Sequence, residues 1–198
     1  MSPASAAIAA AAARLVVEEG LEYGPAKRRA ARDLGAGRRA ELPDNDMLDD
    51  AVREHIAIFC PDTQPAELAA LRAVALRWME RLAAFRPHLT GAVWRGTATR
   101  LSTVQLELFC DDSKSAELAL INQGIDYEVG SRSGPRGEPI DVLGIAVPSA
   151  ELGEPVTLHL AVLDHDDLRG ALKPDPRGRT ARGDLAALRA LLAAGAAA

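Results

Sequence analysis

The chain has 198 residues, of which 48% are hydrophobic and 4% aromatic, enough for one sizeable domain, or for a core domain with a helical extension, built on Leu, Val and Ile. Its formal net charge of −5 argues against general adhesion to nucleic acid or to an anionic membrane. Cys60 and Cys110 stand far apart and define neither a disulfide framework nor a metal spacing, and the reading is two buried or half-buried thiols. The alanine-rich start has no basic leader region and runs on into Arg14 and Glu18. No stretch reaches the roughly 18 apolar residues of a membrane span. The expectation is a cytoplasmic protein without a membrane partner.

The first 86 residues read as a helical module. Ala4 to Glu19 is rich in helix formers and stops at Gly20. Pro25 is expected at the first position of a second helix that Gly35 ends. A third starts at Pro43-Asp44-Asn45 and runs to Phe59, with Val52, His55, Ile56 and Phe59 as its buried stripe. The fourth opens near Pro65, repeats Leu68, Leu71, Ala75, Trp78, Leu82 and Phe85 at helical spacing, and ends at Pro87. Trp78, Trp94, Phe59, Phe85 and Phe109 are the expected large anchors.

From residue 87 the period shortens. Leu89 to Trp94 and Val104 to Cys110 read as strands. Ser113 is expected to cap a helix through Asn122, followed by a strand Ile125 to Val129 and a loop Ser131 to Gly137. Ile140 to Val147 and Pro155 to Leu163 read as two further strands, and Asp184 caps a last helix over Leu185, Leu188 and Leu191. The fold class is therefore α+β, with a helical module over 1–86 and a mixed sheet with flanking helices over 87–198.

The most informative stretch is Gly91-Ala92-Val93-Trp94-Arg95-Gly96-Thr97-Ala98-Thr99-Arg100-Leu101-Ser102-Thr103-Val104-Gln105-Leu106-Glu107-Leu108. It resembles the signature of the polymerase-beta-type nucleotidyltransferases, especially the small bacterial ones. Their pattern is Gly-Ser, then Arg-Gly-x-Ala, then two aspartates two apart on a strand. The resemblance implies that Gly91, Ala92, Arg95, Gly96 and Ser102 face a bound nucleotide. In such a site the glycine-led turn brings backbone N–H groups to a triphosphate. The two aspartates then share one strand face and hold Mg²⁺. Here Thr103 and Gln105 occupy the aspartate positions, and Ala92 replaces the phosphate-contacting serine. The implied protein is bacterial, with a degenerate active site. It has no metal cofactor or catalytic residues, and it binds a nucleotide, RNA or a protein partner. The alternatives are a working transferase whose Mg²⁺ site is rebuilt on Glu107 with Asp141 or Glu128, and a purely structural or interaction protein.

Other constellations have plainer readings. Lys27, Arg28, Arg29, Arg32, Arg38 and Arg39 form a basic patch suited to phosphates. No aromatic platform accompanies it, and a solvated face pairing with the acids of residues 44–50 is favoured. Lys173, Arg177, Arg179 and Arg182 form a second basic loop, suited to closing over an anion or to being plain surface. His159 is expected to face solvent from mid-strand, and Asp164 to Asp167 to cap a turn. His55, His88, His159 and His165 show no zinc spacing.

Overall fold

The computed structural model describes residues 2–37, 41–169, 173–175 and 178–196. The chain divides into two compact units. One holds residues 1–68 with 97–102, and the other holds 69–96 with 103–198. The division falls inside a helix rather than after residue 86, and a short segment beyond it returns to the helical unit.

The helical unit contains α1 (Pro3–Glu19), α2 (Tyr23–Asp33), α3 (Asn45–Phe59) and the first turn of α4 (Gln64–Arg81). Ser2 caps α1 through Ala4 N, and Asp44 caps α3 by accepting from Met47 N at 2.7 Å. α2 begins two residues ahead of Pro25, which sits at its third position. The first-turn N–H groups have no partner inside the helix, so the ring costs nothing there. Ile8, Ala12, Val16, Ala26, Ala30, Leu48, Val52 and Ile56 form the core. Alanine carries much of it, which lets α1 and α2 approach closely. Phe59 does not join this core: it is 67% exposed and stacks on His55 at a ring separation of 4.5 Å. Leu48 supplies the buried contact at the start of the helix instead.

The second unit is a six-stranded mixed sheet in the order β3-β4-β5-β2-β1-β6. Its strands are β1 (His88–Thr90), β2 (Val104–Cys110), β3 (Glu128–Ser133), β4 (Pro139–Ser149), β5 (Glu154–Asp164) and β6 (Arg182–Gly183). β2 and β5 run parallel, and every other pair is antiparallel. The helices are the rest of α4, the five-residue α5 (Gly91–Arg95), α6 (Ser115–Asn122) and α7 (Leu185–Ala196). The apolar run 89–94 is thus a strand only to Thr90. Gly91 takes φ +70° and turns the chain into α5.

Directly paired residues project to the same side of a sheet, so the register defines two faces. Leu89, Val104, Leu106, Leu143, Ile145, Leu158 and Leu160 share the first, and all are buried. Trp78 of α4 lines a groove with Ile145 and Val147 on this face. The buried positions Leu71, Val74, Ala75, Trp78, Met79 and Leu82 repeat at helical spacing. This is the core of the unit. Thr90, Gln105, Glu107, His159 and Gly144 lie on the opposite face, which is polar along these residues and apolar around Phe109, Ala161 and Leu163.

Candidate functional site

Five strand pairings align Glu128, Gly144, His159, Gln105, Thr90 and Arg182 in one row across the polar face. His159, Gln105 and Arg182 are half-buried there, so His159 is only partly turned to solvent. Its ring packs on Gly144, where an added Cβ would lie 3.7 Å from Cδ2. Gly91 adjoins the row. An added Cβ would stand 3.2 Å from Gln105 Oε1, so the left-handed glycine is in contact with the side chain that takes the second aspartate position. Thr103 lies just ahead of β2 and outside the ladder.

Glu107, two residues further along β2, is the most constrained group on this face. It is 8% exposed. Arg132 Nη2 of β3 lies 3.0 Å from its Oε1, and Arg182 Nη1 of β6 lies 2.5 Å from its Oε2. Arg132 starts three strands away, about 14 Å on a flat sheet. The two side chains nonetheless meet. The residues between are small or apolar: Gly130, Val142 and Ala161, with Phe109, Ile140 and Leu163 beside them. The aliphatic stem of Arg132 has to cross that apolar patch to bring its charge to Glu107. A carboxylate buried mid-strand requires a compensating charge, and here it has one from each edge of the sheet. His88, in register with Glu107, holds its Nδ1 proton against the Arg86 carbonyl at 2.9 Å and meets Phe109 edge-on.

The register separates the carboxylates proposed for a rebuilt metal site. Asp141 flanks Val142 on β4 and therefore points to the opposite face from Glu107. It pairs with Lys114 at 3.5 Å. Glu128 shares the face, but it stands in the Gln105 row, three strands from β2. Among the described residues no group of three His, Cys, Asp or Glu side chains is arranged to hold a metal.

The turn Gly91 to Ser102 is likewise not one continuous ligand loop. Gly91, Ala92, Arg95 and Gly96 belong to the sheet unit, whereas Thr97 to Ser102 belongs to the helical unit. There Gln64 Nε2 donates to Ala98 O at 2.9 Å and Glu67 accepts from Arg100 N at 3.0 Å. Ser102 Oγ accepts from Thr99 N at 3.0 Å, which ties it into a local turn. In the sheet unit Arg72 Nε donates to Val93 O at 3.2 Å, and Trp94 Nε1 donates to Thr180 O at 2.8 Å.

Part of the first basic patch is engaged within its own unit. Lys27 bonds Pro43 O at 3.0 Å and Asn45 Oδ1 at 2.8 Å. Arg29 pairs with Glu19 and Asp33, Arg32 lies 3.9 Å from Asp33, and Arg28 is exposed. Arg38 and Arg39 lie outside the described residues, as does Arg177 of the second loop. In that loop Arg179 bonds Asp175 at 3.1 Å, and Arg182 joins β6 and Glu107.

A cleft of about 550 Å³ opens where β2 and β5 end, lined by Cys110, Arg136, Asp141, Asp164 and Asp167 among others. Its acids are engaged locally: Asp167 by Arg136 at 2.6 Å, and Asp164 by Asp166 N at 2.8 Å, which makes it the expected turn cap. Burial, then Asp111 and Asp112, pushes the Cys110 thiol up to about 11, so it is a poor nucleophile at neutral pH.

Sequence reasoning missed Arg132, which fell in a stretch read as a loop, and missed the pairing of both arginines with Glu107, since Arg182 was read only as part of a basic loop suited to an anion. One signal pointed to them. A lone glutamate inside an otherwise apolar strand demands a cationic partner, although nothing in its spacing says which. Comparison with known proteins finds no family model, curated protein or solved structure that matches this chain. No helix among the described residues is long and apolar enough to cross a membrane.

Proposed function

We propose that the sheet unit is a nucleotidyltransferase-like module that binds a nucleotide without transferring it. The observation that carries this reading is the β1–α5–β2 turn. Left-handed Gly91 abuts Gln105, and the half-exposed row beyond it carries Gln105 and His159 rather than a carboxylate pair. Neutral amide and imidazole groups suit hydrogen bonding to a base, sugar or phosphate. They are poor ligands for the hard dications that phosphoryl transfer uses. The only carboxylate in register on β2, Glu107, is held by two guanidinium groups. A cytoplasmic setting accords with the two free thiols.

Two measurements test the reading together. With ATP, GTP, CTP and UTP in turn, one nucleotide is expected to raise the melting temperature. Saturation at a hundred times Kd corresponds to about 2.7 kcal/mol. Incorporation of the same labelled nucleotides into protein or RNA with Mg²⁺ is expected to stay at background. Mg²⁺-dependent incorporation that disappears in Glu107→Gln would restore the active transferase. A melting temperature unmoved by every nucleotide, with and without Mg²⁺, would leave the fold with a purely structural or interaction role.

A further inference from the structure

The ion-pair bridge over this face has an incomplete side. Arg182 Nη1 forms an ion pair with Glu107 Oε2, but neither that oxygen nor the buried Nε–H of Arg182 has a hydrogen-bond partner among the described residues. A buried donor without an acceptor carries a desolvation cost that a ligand oxygen would relieve. A guanidinium presents its Nε and the neighbouring Nη as a fork, the geometry that fits two oxygens of a phosphate. Arg132, at the other end of the bridge, has a side chain 42% exposed on a strand whose every residue is exposed, so its charged head is within reach of a ligand from solvent. The Arg132–Glu107–Arg182 triad sets two guanidinium groups against one carboxylate and so carries a net positive charge.

We infer that Arg132 and Arg182 form a metal-independent phosphate site in which Glu107 holds the place of the ligand. A phosphate group on the His159–Gln105 row takes the open fork of Arg182 and draws Arg132 away from Glu107. Glu107 keeps Arg182, so its carboxylate remains compensated throughout. The bridge then favours dianionic phosphates, because a single carboxylate offers no advantage over the one already in place. Two arginines would thus supply the positive charge that Mg²⁺ supplies in a metal-dependent phosphoryl-transfer site. This rests on the nucleotide reading for its location but not for its ligand class, which is the phosphate chain itself, free or on a nucleoside.

The test is calorimetric titration with inorganic pyrophosphate and with ATP, each in EDTA and in Mg²⁺. Wild type is expected to bind pyrophosphate in EDTA. Arg132→Gln, at an exposed position that leaves the Glu107–Arg182 pair intact, is expected to weaken that binding at least tenfold. Glu107→Gln, which releases both arginines, is expected to tighten it at least tenfold; if that variant does not fold, Arg132→Gln decides alone. The inference is overturned if wild type binds no pyrophosphate in EDTA, or if Arg132→Gln binds it as tightly as wild type. ATP binding that needs Mg²⁺ and ignores Arg132→Gln would overturn the arginine site and leave the nucleotide reading standing. EDTA-resistant binding in which ATP is no tighter than pyrophosphate would support the arginine site and sink the nucleotide reading.

Discussion

Gly183 has no room for a side chain. A Cβ there would stand 2.2 Å from the Trp94 ring, inside any real contact distance, and Trp94 is itself tied through Nε1 to the Thr180 carbonyl. Gly183 pairs with Leu89 of β1, so the indole sits against the strand that carries Arg182 to Glu107. Gly183→Ala must therefore push the ring or the strand aside, and overpacking of this kind costs about 1–3 kcal/mol. Urea denaturation followed by tryptophan fluorescence should show that loss. Adding Trp94→Leu should recover part of it, since relief on combination is the signature of overlap rather than of an independent defect. An additive double variant would mean that the strand, not the ring, takes up the strain. At this scale the site was only half legible. Gly91 and Gln105 stand where the turn pattern puts them, but the bond between Arg132 and Glu107 joins positions that no local period relates.

Helix α6 shows how a surface element is fastened. Lys114 Nζ lies 3.0 Å from the Glu117 carboxylate, and Tyr127 OH donates to its other side at 2.9 Å, tying the helix to the chain that leads into β3. The hydrogen bond from Lys114, then that from Tyr127, holds the Glu117 carboxyl below its usual value of 4.5. A carboxylate with a depressed folded pKa contributes stability that is present above its unfolded value and lost as pH falls through the folded one. Glu117→Gln is therefore expected to lower the denaturation midpoint at neutral pH and to match wild type well below that value. A gap that persists in acid would show that packing, not charge, ties α6 down. The elements that sequence patterns located well are those with one buried face: α1, α3, α4, β2, β4 and β5. β3 starts three residues and ends four residues later than expected, at Glu128–Ser133, because every residue in it is exposed and no alternation marks it. β6 was missed because it is two residues long and is held by pairing with β1 alone. The run 89–94 was read as a single strand because apolar composition continues through Gly91, whose φ of +70° is a backbone property that hydrophobicity does not record.

Across the whole molecule, the α+β class follows from the change of period near residue 87, but the units do not divide there. α4 contributes its first turn to the helical unit and its later turns to the sheet unit, while residues 97–102 return to the first. Each unit has its own apolar core, with Leu48 and Leu160 both 0% exposed in their respective centres. Opening of a protein follows cooperative units that share packing, and hydrogen exchange reports them separately. Leu48→Ala and Leu160→Ala each remove a fully buried side chain, at a cost of about 2–5 kcal/mol. If cooperativity follows the cores, Leu48→Ala should speed amide exchange through α1, α2 and α3 and leave β2, β4 and β5 near their original rates. Leu160→Ala should do the reverse. α4 is the informative segment, since its amides would split between the two patterns near Leu68, where the division falls. Equal acceleration in both units from either variant would mean that the continuous helix couples them into a single folding unit. The nucleotide titrations would then have to be read as stabilising the entire chain rather than the sheet alone.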